Sequence, residues 1–453
     1  MGTVLSFGIE VQKAVVLRSL EELKDLELSI EPPVVVVYEK GFSFIDEVYR
    51  AFESFEIDRH LVDVIDPSLE LRLSRKVFTL EDIVEARLVK AETSRWREAK
   101  RVLESEKLVS RRELLRRGPF ALLALLDKPV VDKWFCSSLR RCDSCIKTCP
   151  VRALSGRPPE VSYEVCISCG ACYSVCPVEA ISSPFLTWRS LKEYCKVLRR
   201  RSEEPAHVVV AKPTEFKDLE KLEVEYPTVL LPLESSRNLT PLHALLLASY
   251  GFTLHIISRT PPSWLSELSA VGLVHHSKSV DELAETLSRR PLFKPFHVDV
   301  NLTKSRSFVR LVLKLLDKEL KFNYPLTGEV YIHEDLCVLC GACVEACPTK
   351  TLKLGETEDR FELSFDPNLC VVCKECEKVC PEGAVRIENV YKPDSSWRVE
   401  VSGAVVRCSK CGAIVSSEKQ IRKIESKLRS IGTKDTSYLR LCIDCRQKSL
   451  LGE

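Results

Sequence analysis

Three stretches of the chain, CISCGACYSVCP from Cys166, CVLCGACVEACP from Cys337 and CVVCKECEKVCP from Cys370, repeat one spacing. Three cysteines stand three residues apart, a fourth follows four residues later, and a proline comes next. Thiolate is the soft ligand that each iron of an iron–sulfur cube requires. A tight loop can wrap three thiolates around one cube while its backbone N–H groups face the sulfides. The fourth thiolate then points down the next helical turn toward a second cube, so such motifs come in pairs and exchange their last ligand. Gly170 and Gly341 stand where the loop must bend closely around the cluster. The third motif has Glu375 there, so glycine helps but is not required. Zinc knuckles are paired C-x2-C units without the C-x3-C-P ending, and disulfides need an oxidising compartment. Neither explains the triplets.

A fourth copy, WFCSSLRRCDSCIKTCP from Trp134, departs from the pattern. Leu139 occupies the place of the first cysteine, and Cys136 lies three residues farther back. Leucine cannot bind iron. An outward loop of Ser137, Ser138 and Leu139 would return Cys136 to the same iron and complete the site, which is the favoured reading. The alternative is a three-iron cluster with an open corner, Cys136 being an apolar filler. Arg140 and Arg141 would lie beside this centre. Positive charge favours the reduced state, so this centre is expected to have the highest potential of four.

The tail carries different chemistry. CSKCG from Cys408 and CIDC from Cys442 form two knuckles, so Cys408, Cys411, Cys442 and Cys445 suit a tetrahedral four-thiolate ion. Zinc is expected, with iron as the alternative, because the second knuckle lacks the glycine of rubredoxin-type sites. Between the knuckles, SEKQIRKIESKLRSIG sets Ile421, Ile424, Leu428 and Ile431 on one helical face, with Gly432 as the stop. This module resembles a zinc ribbon or treble clef. Cys195, in EYCKVL, is left over and reads as an apolar filler.

The elements that must hold these groups come from a chain of 453 residues, enough for three or four folding units at ~100–200 residues each. Its 67 basic and 65 acidic residues nearly cancel, which argues against a dedicated nucleic-acid or anionic-membrane binder. No apolar run approaches the ~20 residues that span a bilayer, and the start lacks a secretory pattern. Twenty-one cysteines without such a signal indicate metal ligation in a reducing, cytoplasmic setting. MGTVLS matches an acylation pattern by chance. The Arg pair after Ser110 belongs to a capping box with Glu113 rather than to an export signal. One Met, three Gln and five Asn beside many charges fit a thermophile.

Residues 1–130 read as a small α/β domain. PPVVVVYEKG is a buried parallel strand, SFIDEVYRAF a helix, RHLVDVID a strand, and a long helical pattern begins at TLEDIVEARL. Residues 131–200 hold the first cysteine block. Residues 201–325 form a second, Cys-poor α/β domain, with strands HVVVA, TVLLPL and TLHIIS. Its helix TPLHALLLASYG starts with Pro241 and stops at Gly251. Residues 326–395 hold the second cysteine block and 396–453 the four-cysteine tail. No dinucleotide or phosphate loop is present, and no catalytic residue stands out. VHHS at His275 and His276 reads as a strand end.

Segments 136–184 and 337–388 resemble bacterial-type two-[4Fe–4S] ferredoxins, down to the continuations CPVEAI after Cys176 and CPEGAV after Cys380. The resemblance implies four clusters. Cys337, Cys340, Cys343 and Cys380 hold one; Cys370, Cys373, Cys376 and Cys347 hold its partner. Cys166, Cys169, Cys172 and Cys149 hold a third; Cys142, Cys145, Cys176 and Cys136 hold the fourth, the one with the three-iron alternative. The implied fold is α/β plus α+β: one ferredoxin-like module between two Rossmann-like α/β units, another after them, then the zinc-ribbon or treble-clef module. The order of blocks is similar to multi-cluster ferredoxins that accompany molybdopterin oxidoreductases such as formate dehydrogenases. The middle segment resembles the small α/β domain of hydrogenase-linked iron–sulfur subunits, though without that domain's cysteines. The implied role is a polyferredoxin, a non-enzymatic subunit passing single electrons from a redox donor to an acceptor, with no nucleic acid and no membrane insertion. The rival is an assembly or maturation factor whose clusters are structural clips.

Overall fold

The computed structural model describes residues 3–7, 15–17, 32–38, 45–54, 62–94, 128–137, 142–233, 235–262, 264–295, 307–316 and 318–451. Met1 and Gly2, the Ser110–Glu113 box, Ser138, Leu139, Arg140, Arg141 and the helical pattern between 95 and 127 lie outside those residues. The chain divides into two compact units, Met1–Lys133 with Asp143–Asp299, and Trp134–Cys142 with Val300–Glu453.

In the first unit, β1 (Thr3–Phe7), β2 (Val15–Leu17), β3 (Val34–Tyr38) and β4 (Val62–Ile65) form a sheet in the order β2-β1-β3-β4. Every pairing is parallel. Val34 to Val37 have no exposed surface, as a strand covered on both faces requires. Helix α1 (Ile45–Ser54) links β3 to β4. Helix α2 (Pro67–Leu73) starts under Asp66, whose carboxylate accepts the N–H groups of Ser68 and Leu69. Helix α3 (Leu80–Glu92) starts with a Thr79–Asp82 capping box.

The first cysteine block follows. Strand β5 (Val130–Val131) pairs antiparallel with β8 (Ile181–Ser182), and β6 (Leu154–Ser155) with β7 (Glu160–Val161). Helices α4 (Ser144–Thr148) and α5 (Ala171–Ser174) lie between them in sequence. Helix α6 (Trp188–Leu198) leads out and packs on α3. Cys195 is fully buried on α6, as an apolar filler would be.

A second all-parallel sheet has the order β10-β9-β11-β12, from β9 (Ala206–Ala211), β10 (Thr228–Pro232), β11 (Phe252–Ile257) and β12 (Val274–Ser277). Helix α7 (Pro241–Ser249) carries Pro241 in its first turn, and Gly251 beyond it is left-handed at φ 73°. Helices α8 (Leu265–Ser269) and α9 (Val280–Leu287) complete this part. The two parallel sheets, read from sequence as separate domains, share one core. Val34, Phe52, Val64 and Leu73 pack in the same cluster as Val209, Phe216, Leu230 and Leu287. Arg87 joins them: fully buried, it pairs with Asp63 at 2.8 Å and with Glu70, and donates to the Leu230 carbonyl at 3.0 Å.

In the second unit, helix α10 (Ser307–Lys314) precedes β13 (Leu320–Lys321) and β14 (Glu329–Ile332). The second cysteine block holds α11 (Ala342–Ala346), β15 (Leu352–Glu356), β16 (Arg360–Phe365), α12 (Glu375–Val379) and β17 (Val385–Glu388). Strand β18 (Val390–Tyr391) pairs with β13, and β14 pairs antiparallel with β17. The tail extends this block. Strand β19 (Arg398–Arg407) pairs with β16, and β20 (Ile414–Ser417) with β19, in the order β15-β16-β19-β20. Helices α13 (Glu418–Ser430) and α14 (Ile443–Leu451) follow. Ile421 is buried on α13, with Ile424 and Leu428 against the same cluster. Ile431, expected on that face, is instead 77 % exposed, because the helix ends there and Gly432 turns left-handed at φ 90°. Among the described residues no helix is long and apolar enough to cross a membrane.

Candidate iron–sulfur and metal centres

The three regular motifs fold alike. The residue before the second cysteine is left-handed in each: Ser168 at φ 52°, Leu339 at 57°, Val372 at 56°. The residue after it is left-handed too: Gly170 at 72°, Gly341 at 78°, Lys374 at 60°. The residue aligned with the two glycines is therefore Lys374, not Glu375, which begins α12 and is buried. A β-branched residue such as Val372 strongly disfavours this region, so something in the loop holds it there. Two successive reversals curl the backbone and bring three cysteine side chains to one side.

All four motifs, the irregular one included, share their ending. Three residues past the fourth cysteine the chain is left-handed again, at Arg152 (54°), Glu179 (50°), Lys350 (54°) and Gly383 (62°). In three of them the amide four residues beyond the fourth cysteine donates to its sulfur. Ala153 N–H reaches Cys149 Sγ at 3.2 Å, and Thr351 and Ala384 reach Cys347 and Cys380 at 3.3 Å. The start of the first motif differs, since Asp143, after Cys142, has φ −138° where the others are left-handed.

The folding brings the cysteines together in sets. Cys337, Cys340, Cys343 and Cys380 line one cavity of about 370 Å³ counting its mouth. Cys166, Cys169, Cys172 and Cys149 line another of about 380 Å³. Both gather four cysteine side chains around one space, the donor count that a cube requires. Each cavity combines a triplet with the fourth cysteine of the neighbouring motif. The remaining triplet behaves likewise. Burial first, then the neighbouring sulfurs, Cys347 among them, push the thiols of Cys370, Cys373 and Cys376 up, Cys370 to about 12. Cys343 is also pushed up to about 12 by burial and by Cys337, Cys340 and Cys380. Sulfurs gathered this closely are a donor set for soft metal.

Within each block the third cysteines of the two sets lie in one core cluster. Cys376 feels Cys343 across the block, and Cys172 feels Cys145. Cys145, Cys149, Cys172 and Cys176 pack on one small core with Tyr173 and Ile181. Cys136 and Cys142 are partly exposed and belong to the second unit.

In the tail, Cys408 and Cys411 sit at the tip of the β19–β20 hairpin, and Cys442 and Cys445 at the start of α14. The four sulfurs lie within 4.8 Å of one another, and Cys411 Sγ is 3.6 Å from Cys442 Sγ. A tetrahedral ion with metal–sulfur bonds near 2.3 Å would space its sulfurs ~3.8 Å apart, so the donor set fits. Gly412, left-handed at 77°, closes the first knuckle, donating to the Cys408 carbonyl at 2.9 Å. The Cys442 backbone N–H helps lower the Cys408 thiol, while hydrogen bonds among the sulfurs push Cys411 and Cys445 up, so these thiols titrate as one set.

Sequence reasoning missed a histidine cluster in the first unit. His207 and His255 share a hydrogen bond of 2.9 Å, and His275 stacks on His255 at 4.9 Å between ring centres. His275 stands directly opposite His255 on the next strand, and His207, opposite Thr253, is two residues along on the neighbouring strand. Only the alternation of strand residues, applied across strands whose pairing was unknown, could have aligned them.

Residues 336–384 match the family model of the 4Fe-4S dicluster domain, and residues 159–182 match that of the 4Fe-4S binding domain. No curated protein matches the chain. The chain thus carries 4Fe–4S binding domains in both cysteine blocks, together with one candidate four-cysteine metal site.

Proposed function

We propose that the chain is a polyferredoxin that relays single electrons between a donor enzyme and an acceptor, of the molybdopterin oxidoreductase or hydrogenase kind, and does no substrate chemistry itself. The observation that carries the reading is the pair of cavities, each ringed by a triplet and a cysteine from the sister motif. A cube bound there supplies one-electron redox chemistry. The proposed ligands are Cys337, Cys340, Cys343 and Cys380; Cys370, Cys373, Cys376 and Cys347; Cys166, Cys169, Cys172 and Cys149; and Cys136, Cys142, Cys145 and Cys176. Cys408, Cys411, Cys442 and Cys445 would hold zinc.

The chain's residues do three things for this role. The double left-handed bend aims three sulfurs inward and turns loop amides toward the same space. The N–H groups of Ala153, Thr351 and Ala384 donate to the fourth sulfurs, which disperses thiolate charge and favours the more negative, reduced state. Cys343 with Cys376, and Cys172 with Cys145, bring paired sets together for transfer within a block. Exposed Cys340 makes its set the one in the second block that a partner can approach.

Anaerobic iron and sulfide analysis with EPR tests this. About sixteen iron per chain is expected for four whole cubes, with signals that appear on dithionite and vanish on reoxidation. Clusters that bind but refuse reduction would favour the assembly-factor reading. Iron bound only at the tail would sink both.

A further inference from the structure

The tail is built onto the cluster loop. Strand β19 continues the sheet of the second block and runs directly into Cys408, while β20 leads from the knuckle to Ser417, the N-cap of α13. Ser417 Oγ donates at 2.6 Å to the carbonyl of Val338, which lies between Cys337 and Cys340. A β-carbon on Gly403 would stand 2.7 Å from Leu339 Cδ1, so β19 lies flat on the same loop. Lys419 is 3.5 Å from the Glu334 carboxylate and donates to its carbonyl at 3.3 Å. Lys423 and Lys427 each reach Glu382, which lines the Cys337 cavity, at 3.1 Å.

Charge follows the same division. Residues 329–391 hold 13 acidic and 6 basic residues, a net charge of −7. Residues 396–453 hold 12 basic and 6 acidic residues, a net charge of +6. Single exposed ion pairs contribute little, but a network facing one loop acts together.

We propose that the four-cysteine tail is a clamp that positions the loop of residues 337–340, and that metal in the tail thereby sets the lifetime and potential of the centre at Cys337, Cys340, Cys343 and Cys380. This rests on reading those four cysteines as cluster ligands. Metal at Cys408, Cys411, Cys442 and Cys445 ties the hairpin to α14, which holds β20 and hence Ser417 at a fixed place over Val338. The α13 lysines add positive charge beside a group that becomes more negative on reduction, so they raise its potential. Ser417, Lys423 and Lys427 are positioning residues and touch no iron.

The test uses the full chain, loaded and kept anaerobic, with EPR-monitored redox titration and bleaching by an iron chelator. Cys340→Ser assigns the signal of this centre. Ser417→Ala should speed its loss roughly fivefold, the worth of one ordinary hydrogen bond, while Ser417→Thr restores it and the other centres are unmoved. The double change K423Q/K427Q should lower the potential of that centre alone. Cys442→Ser, which empties the tail, should do both. Unchanged lifetime in Ser417→Ala with unchanged potential in K423Q/K427Q would overturn the clamp while leaving the cluster reading intact. A native chain with no signal that Cys340→Ser removes would overturn the cluster reading and the clamp with it.

Discussion

The carbonyl oxygen of Arg237 lies 2.4 Å from where a β-carbon on Gly170 would stand, so the loop after β10 closes directly over the bend between Cys169 and Cys172. Gly170 is also left-handed at φ 72°, and two independent constraints meet at one residue. At Gly341 only the backbone angle applies, since its nearest neighbour, Leu354 Cδ2, is at an ordinary 3.6 Å.

Gly170→Ala should therefore cost more than Gly341→Ala. The left-handed angle alone costs about 1 kcal/mol for alanine, and the clash with backbone adds to it at Gly170. Thermal melts of the two variants should show the larger drop for Gly170→Ala, accompanied by loss of iron from the first block. Equal shifts would mean that the Arg237 loop yields freely.

The buried histidines should make the first unit acid-sensitive. Burial lowers His207 from 6.5 to about 4 and His243 to about 3, and His255 falls well below its usual range. The unfolded chain then binds protons that the folded chain refuses once the pH drops below about 6.5. Stability is complete above that pH and is lost as pH falls toward 4, by on the order of 3 kcal/mol for His207 alone. Denaturant melts between pH 7 and pH 4.5 should show it, and His207→Asn should flatten the dependence.

Arg87 should be among the most costly residues to truncate. It is fully buried between Asp63 and Glu70, and removing it leaves carboxylates in the core without their cation. Arg87→Ala should lose about 3–5 kcal/mol. Glu70→Gln should lose less, because burial raises the Glu70 carboxyl, the amide of similar shape keeps an oxygen for Arg87 to donate to, and Asp63 still pairs with Arg87. Urea midpoints of the two variants provide the comparison.

Cys136→Ser and Cys142→Ser should give different spectra. If Cys136 is the fourth ligand of its set, Cys136→Ser should convert one cube into a three-iron cluster, read as a new signal in the oxidised protein. Cys142→Ser should lose that cluster altogether. Identical spectra for native protein and Cys136→Ser would make Cys136 a bystander.

Metal in the tail should be a single ion per chain, released together with four thiols. Chelation should free one zinc, measured by a colorimetric indicator, and reactivity of the exposed Cys411 thiol should rise in step. Release of iron instead would assign the rubredoxin-type alternative.

Much of the candidate site was legible because it is local. A spacing of three, three and four between cysteines leaves the loop few ways to aim its sulfurs, and the Pro-led turn repeats in all four motifs. The same locality explains the strand read from VVVV and the helices read from TLEDIVEARL and from Pro241 to Gly251. The misaligned bend residue, Lys374 rather than Glu375, was a one-place error within a correct pattern.

Sequence by itself determined which cysteines stand at metal-ligand spacing and which short segments would be strand or helix, since each depends on neighbours a few residues apart. Tertiary structure alone decided that two parallel sheets share a core around Arg87, that Arg237 shuts over Gly170, and that Ser417 grips Val338. Those contacts join residues 67 to 143 positions apart along the chain. Their partners are chosen by shape, charge and burial across the folded chain, and no spacing within a short window encodes that choice.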